Sequence, residues 1–388
     1  IPQAYKSGKV YSQLPVSGDG DFDFTRASSA TRVNKDGFIE EVAVNVPRLD
    51  YSDGGCPSLL LEPTRTNAAL QSNKFDTTWI NTNSAETSGQ VGVGGSTDAW
   101  LLNKSAANGH IKQNLSSSGV QTLSVFAKKG SLNWIRIVAI GGTSVPSTWF
   151  DLENGVVGAA DYYTVSSSIE NYGNGWYRCS ITIDVGTITG IRYYPSVDNN
   201  SVSGASGNIY IQYAQLEQGS YATSYIPTQG SVVTRNADSI SINLPDTDSF
   251  NSSNGFSLIT EFGAGAAGSG SSSVFLTVND DTSSTYMGFT SSSVFRSRLN
   301  LSGTDYLNSQ GNAPRTQVNS LFISCDSNGW AQGANGVVND TGINDASVFN
   351  KVNNINCVTT ESYGIIKINK LLIYNTRLSN AELQALTT

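Results

Sequence analysis

Acid–base and nucleophilic chemistry near neutral pH leans on histidine, and this chain has one, His110. Any Ser/His/Asp triad would have to use it. No G-x-S-x-G elbow is present, and the Asn108-Gly109-His110-Ile111 setting reads as the entrance to a strand. A solvated structural histidine is the expectation. A histidine-rich zinc site is excluded by the same count, and a thiolate site would need Cys56, Cys179, Cys325 and Cys357 to converge from distant segments. Without any C-x-x-C spacing these read as isolated thiols of a cytosol-made protein, a Cys325–Cys357 bridge being the one pairing left open.

Other polar patterns are equally sparing. Asp19, Asp21 and Asp23 alternate as calcium-loop ligands do, but the following Gly and the distal Glu of an EF-hand are missing. A solvated acidic turn is expected, with calcium the one cofactor left open and no other implied. Gly263, Gly265 and Gly268 satisfy G-x-G-x-x-G, yet a Ser-rich strand follows where a phosphate-binding helix should begin, so nucleotide binding is rejected. Glycoside hydrolysis needs two carboxylates about 5 to 10 Å apart across a cleft. Spacing in a β protein leaves Glu153, Glu170, Glu217 and Glu261 unassigned to any such pair.

Aromatic residues carry the stronger signal. Sugar rings present apolar C–H faces that stack on Trp and Tyr, while their hydroxyls seek Asn, Asp and Arg. Trp134 and Arg136 share the strand face opposite Ile135 and Ile137, so if the isoleucines are core, the other pair lines an exposed groove. Trp149, Tyr162, Tyr163, Tyr193 and Tyr194 join them as glycan-binding candidates. The competing reading is that these rings fill the core of a sandwich.

The elements that must position these groups are strands. Only 14% of residues are charged, Gly numbers 38 and Tyr 17, and no stretch has the Ala/Leu/Glu/Lys density of long helices. Alternation is clearest at 179–185, where Cys179, Ile181, Ile183 and Val185 share one face of an expected half-buried strand. Similar segments recur at 122–128, 133–140, 208–213, 239–244, 256–262 and 273–278. Asp36-Gly37, Asn154-Gly155 and Asn335-Gly336 are hairpin signals that make the pairing local and antiparallel. One helix is expected at the C-terminal end, where Ser379 and Glu382 form a capping box and Leu378 staples onto Leu383. The 263–273 run of Gly, Ala and Ser reads as a loop between strands.

The 23 basic and 31 acidic residues give a formal charge of −8 with no Lys/Arg run, which argues against nucleic acid as a partner. No run approaches the roughly 18 apolar residues that span a bilayer, and Ile1 does not open a signal peptide. The expectation is a soluble, already processed chain without membrane insertion. Composition shifts after Asn67 and across 227–230 divide it into three parts: 1–67, 68–228 and 236–388.

The stretch DFDFTRASSATRV at 21–33, followed by Asp36-Gly37, NVPR at 45–48 and LLEPTRTN at 60–67, resembles a region recurring in phage head-fibre and tail-fibre (spike) proteins. The middle part, with WFDL at 149–152, GNGWYR at 173–178, YAQLE at 213–217 and TSYIPT at 223–228, resembles a carbohydrate-binding-module jelly roll. The last, with NGV at 335–337, LLIYN at 371–375 and LSNAE at 378–382, resembles laminin-G or concanavalin-like lectin sandwiches. The resemblance implies an all-β chain of tandem antiparallel β-sandwiches, a jelly roll followed by a concanavalin-like sandwich, behind an extended β-rich N-terminal segment for attachment or oligomerisation.

It further implies a non-enzymatic protein of the virion surface, commonly a homotrimer, contacting other virion proteins and binding host or environmental glycans. A capsid decoration protein without adhesion and a polysaccharide depolymerase remain the alternatives. Within these formulae Asn174-Gly175-Trp176 fits a turn plus a core ring, and Arg26, Arg32, Arg48 and Arg65 are expected to pair with Asp21, Asp23, Glu40 or Glu62.

Overall fold

The computed structural model describes residues 4–6, 9–11, 22–141, 145–204, 206–243, 255–262, 273–276, 285–289, 294–301, 304–312, 320–326, 328–342, 354–358, 364–374 and 376–387. Strand makes up 58% of the chain and helix 3%, in antiparallel sheets, so the all-β sandwich class expected from composition holds. No helix among the described residues is long and apolar enough to cross a membrane. Contacts group the chain into two compact units, residues 30–41 with 65–235, and residues 1–29 with 42–64 and 236–388. Residues from the first 67 therefore enter both.

The unit containing 65–235 is a jelly-roll-like sandwich of two six-stranded sheets. One runs, neighbour by neighbour, Ser84–Gln90, Ala99–Lys104, Gly207–Gln218, Gln121–Lys129, Trp176–Ile183 and Thr164–Asn171. The other runs Val156–Ala160, Ser147–Asp151, Trp134–Ile140, Thr187–Ser196, His110–Ser118 and Ile80–Thr82. Their facing sides bury Leu123, Val125, Ile135, Ile137, Phe150 and Ile191 in one continuous core. β-Branched and aromatic residues at alternate positions make these strands, because each can then pack one face against the opposing sheet.

The strand expected to be half-buried is buried on both sides. Cys179, Ile181 and Ile183 enter the core, and Ser180 and Thr182 are covered as well. A second cluster, with Val93, Phe126, Trp176, Tyr213 and Tyr225, packs beside that sheet, and Ile39 from the 30–41 hairpin packs on it. The polar pair is accommodated by hydroxyl contacts, Ser180 with Ser168 at 2.7 Å and Thr182 with Thr122 at 2.9 Å. The Asn174-Gly175 turn has φ of 52° and 78°, and it delivers Trp176 into this second cluster as a core ring.

In the other unit a seven-stranded sheet runs Val337–Gly342, Gly329–Ala334, Ser320–Asp326, Phe256–Phe262, Ile366–Tyr374, Ser58–Leu61 and Arg48–Asp50. A nine-stranded sheet runs Ala4–Lys6, Lys9–Tyr11, Phe22–Thr25, Ser239–Asn243, Asn354–Val358, Ser273–Leu276, Thr285–Phe289, Val294–Leu301 and Thr304–Asn312. Phe24 and Ile240 of the larger sheet pack on Leu59, Leu61, Ile366 and Ile368 of the smaller one. Asn335 and Gly336 both take positive φ, 47° and 72°, as the primed hairpin turn requires. The helix Asn380–Thr387 opens with the expected box: Ser379 N donates to Glu382 Oε2 at 2.8 Å, Glu382 N donates to Ser379 Oγ at 3.3 Å, and Leu378 and Leu383 share a cluster. Cys325 is a buried free thiol whose ionisation burial pushes up.

Four wholly buried charges tie this unit's separated segments together. Arg26 Nη1 donates to Asp238 Oδ1 at 3.0 Å, Arg48 Nη1 to Glu62 Oε2 at 2.7 Å, and Arg48 Nη2 to Asp238 Oδ2. Glu62 N also donates to Asp238 Oδ2 at 2.9 Å, and the rest of the Arg26 guanidinium is taken by the carbonyls of Ser28, Val42, Ala43 and Val46. Arg48–Glu62 and Arg32–Glu40 are among the expected pairs, and Arg26 pairs with Asp238, a partner outside the expected set; Asp21 lies outside the described residues. Arg65 lies with its guanidinium carbon 4.9 Å from the Tyr221 ring centre.

Removing one partner of a buried ion cluster strands the others without water. Asp238→Ala is therefore expected to destabilise the unit by about 3–5 kcal/mol. Arg32→Gln, which breaks a partly exposed pair, should cost under about 1 kcal/mol in the same urea titration.

Candidate functional site

The sandwich turns Ile135, Ile137, Phe150, Ile191 and Tyr193 inward, and the pleat then places their neighbours on the other face of the same sheet. Register brings those neighbours together. Arg136 stands opposite both Trp149 and Tyr194, and Trp134 stands opposite Asp151 and Ser196. One strand further on, Lys112 stands directly opposite Arg192.

Arg136 is held between rings, its guanidinium carbon 4.2 Å from the Trp149 centre and 5.7 Å from that of Tyr194. Such cation–π contacts are worth more where water is partly excluded, and Trp149 and Tyr194 are each only 6% exposed. Arg136 Nη2 donates to Ser147 Oγ at 2.9 Å and Arg192 Nη1 to Tyr194 Oη at 3.3 Å. Burial pulls the Arg136 pKa down, Arg192 adds to that, and Tyr194 and Asp161 work the other way.

Three N–H groups on this face, Arg136 Nε, Trp149 Nε1 and Arg192 Nε, are buried with no hydrogen-bond partner among the described residues. Leaving a buried donor unpaired costs about 1–3 kcal/mol, a cost that an acceptor brought to this face would offset.

Trp134 is half-buried and lies across Gly158. A Cβ built at Gly158 would fall 2.5 Å from Cζ3 of the indole, so only glycine gives the ring this seat. Asn199 closes on the same glycine and accepts from Ala159 N at 2.8 Å. After the Val156–Ala160 strand, Asp161 N donates to Ser147 O at 2.8 Å and presents Tyr162 and Tyr163, an edge-to-face pair 5.5 Å apart. Tyr162 is 93% exposed and Tyr163 47%.

Of the sequence candidates, Trp134, Arg136, Trp149 and Tyr194 come together on one face, with Tyr162 and Tyr163 on the turn whose Asp161 acts on Arg136. Tyr193 does not join them: it has no exposed surface, packs 5.6 Å from Trp79 inside the core, and offers no ring face to a ligand. His110, expected to be solvated, is buried with its ring 4.5 Å from that of Tyr194 and tilted 31° to it. Its Nδ1 lies 2.8 Å from Asn108 O, and since a carbonyl only accepts, Nδ1 carries the proton. Lys112 and Arg192 were passed over in the sequence, although Arg192 sits between Ile191 and Tyr193 as Arg136 sits between Ile135 and Ile137. The same alternation finds both once the strand is recognised.

The carboxylates stand elsewhere in the chemistry. Glu153 pairs with Lys129, Glu217 is buried and receives Thr223 N at 2.9 Å, and Glu170 and Glu261 lie on the strands Thr164–Asn171 and Phe256–Phe262. Among the described residues no group of three or more His, Cys, Asp or Glu could hold a metal; Asp19, Asp21 and the Gly263, Gly265, Gly268 motif lie outside them. No protein-family model matches the chain, and no curated protein matches it.

A residue kept for binding need not stabilise the fold. Arg136→Met is expected to shift the unfolding free energy by less than about 1 kcal/mol, because a desolvated cation gives way to an apolar chain of similar length. Ile137→Ala on the same strand should cost about 2–5 kcal/mol in the same denaturation series.

Burial, Arg192 and Lys112 all depress the His110 pKa below 6.5, outweighing the Asn108 carbonyl, so the folded state favours the neutral ring. The resulting stability is complete above the unfolded value and is lost as pH falls through the lowered folded value. Between about pH 7.5 and pH 5 the parent protein should therefore lose stability relative to His110→Gln, measured as the difference in urea midpoints.

Proposed function

We propose that this chain is a non-enzymatic fibre or spike protein of a bacteriophage surface that binds glycans through the outer face of the Trp134–Ile140 sheet. The observation that carries the binding part is the assembly of Trp134, Arg136, Trp149 and Tyr194 on one face of a jelly-roll-like sandwich. A partly exposed indole seated on Gly158 offers a flat apolar plate for the C–H face of a sugar ring, and the partly exposed side chains of Arg136, Arg192 and Lys112 offer donors to its oxygens. Exposed Tyr162 and Tyr163 extend the apolar area beside it.

The virion part of the reading rests on the resemblance carried by the 21–67 formulae. A homotrimer fits that role, because three weak sites on one particle raise avidity without any new contact. Other virion proteins would hold the fibre in place, and glycans of the host or its surroundings would be the ligands.

Binding of the purified chain to an oligosaccharide array, together with adsorption of particles to host cells, tests the reading. Trp134→Ala is expected to weaken array binding by about tenfold, the scale of one lost aromatic contact. An array on which the intact chain binds nothing, with adsorption unchanged by its removal from particles, would contradict the adhesive role.

A further inference from the structure

We infer that the ligand taken by this face is an anionic glycan, one whose sugar carboxylates are received by Arg136, Arg192 and Lys112. The inference rests on the glycan-binding reading above and narrows it by charge.

Register is the first ground. Lys112 and Arg192 are directly opposed across two antiparallel strands, and Arg136 stands one pair along on the next strand, where Val138 and not Arg136 faces Arg192. Like charges set directly opposite destabilise a sheet. Oppositely charged neighbours normally relieve such a pair, yet none of these three cations has a carboxylate within ion-pair distance among the described residues. This occurs in a chain whose acidic residues outnumber its basic ones, 31 to 23.

Hydrogen-bond accounting is the second and independent ground. The unpaired groups gathered here, Trp149 Nε1, Arg136 Nε and Arg192 Nε, are all donors, and the Trp149 side chain that carries one of them is more than nine-tenths buried. A neutral sugar hydroxyl donates as readily as it accepts. A carboxylate only accepts, and it brings the counter-charge that three unpaired cations lack.

The acidic groups nearby are already engaged. Asp151 accepts from Glu153 N, Asn154 N and Asn154 Nδ2 in its turn, and Asp161 accepts from Tyr163 N. Asp161 still acts on Arg136 through space, opposing the effect of Arg192. Asp151 ends the strand Ser147–Asp151 opposite Trp134 with its oxygens taken by the following turn, so the carboxylates beside this face are engaged locally while the cations are not paired with any among the described residues.

Matched oligosaccharide pairs that differ only in the carboxylate separate this inference from the broader one. Suitable pairs are sialylated glycans with their sialic acid methyl esters, and uronate oligomers with their methyl esters, presented to the intact chain at low and high salt. Carboxylated members are expected to bind at least about tenfold more tightly than their neutral partners, with the difference shrinking as salt rises. Arg192→Gln and Lys112→Gln should each remove most of that preference. Lys35→Gln, an equal change of charge on the hairpin that packs beside the opposite sheet, should leave it intact. Thermal unfolding of each variant establishes that it is folded. Neutral partners binding equally well would overturn the inference while leaving glycan binding standing; binding to neither class would remove both.

Discussion

Along Trp134–Ile140 the pleat sends successive side chains to opposite sides, and the sandwich claims one side for Ile135 and Ile137. Everything on the candidate face follows from that division. Once the isoleucines are interior, Trp134 and Arg136 must stand outside. Register with the two flanking strands then sets Trp149 and Tyr194 against Arg136 with no further choice. A one-residue slip of the central strand would bury a guanidinium and an indole N–H among aliphatic side chains. The packing that stabilises the sandwich is thus also what holds the functional groups in place.

Arg48 and Arg136 are used in opposite ways. Arg48 is buried with its charge fully answered by Asp238 and Glu62, which hold its pKa above the usual arginine range despite burial. Arg136 is desolvated against aromatic rings, with a hydroxyl for a partner and no carboxylate in ion-pair reach among the described residues. The first arrangement ties together segments far apart in the chain and reads as architecture. The second leaves charge and donors uncompensated on a sheet face, the imbalance a ligand of opposite sign would correct.

Much of this was legible in the residues. Asn335-Gly336 marks a tight turn through the positive φ that both residues take, at Asn154-Gly155 only the glycine does so, and the Ser379–Glu382 box marks a helix start through its reciprocal hydrogen bonds. Those signals are local. The exterior burial of Ser180 and Thr182 was not legible, because the side chains that cover their sheet come from distant segments. Asp238 could not be matched to Arg26 for the same reason, the two lying 212 positions apart. Tyr193 and Tyr194 are indistinguishable by type, and only the register of Thr187–Ser196 sends one inward and the other out. The strand entrance at His110 was legible but its burial was not, because nothing in the local sequence shows the Tyr194 ring beside it.

The central claim is that the ligand engages this particular face, and the indole N–H of Trp149 is its most direct reporter. With the side chains nitrogen-labelled and the signal assigned through Trp149→Phe, titration with a carboxylated oligosaccharide that binds should move the Trp149 indole resonance. The Trp176 resonance, from a ring in the separate cluster around Phe126, should stay in place. Saturable binding that leaves the Trp149 signal unmoved would place the ligand elsewhere and contradict the account.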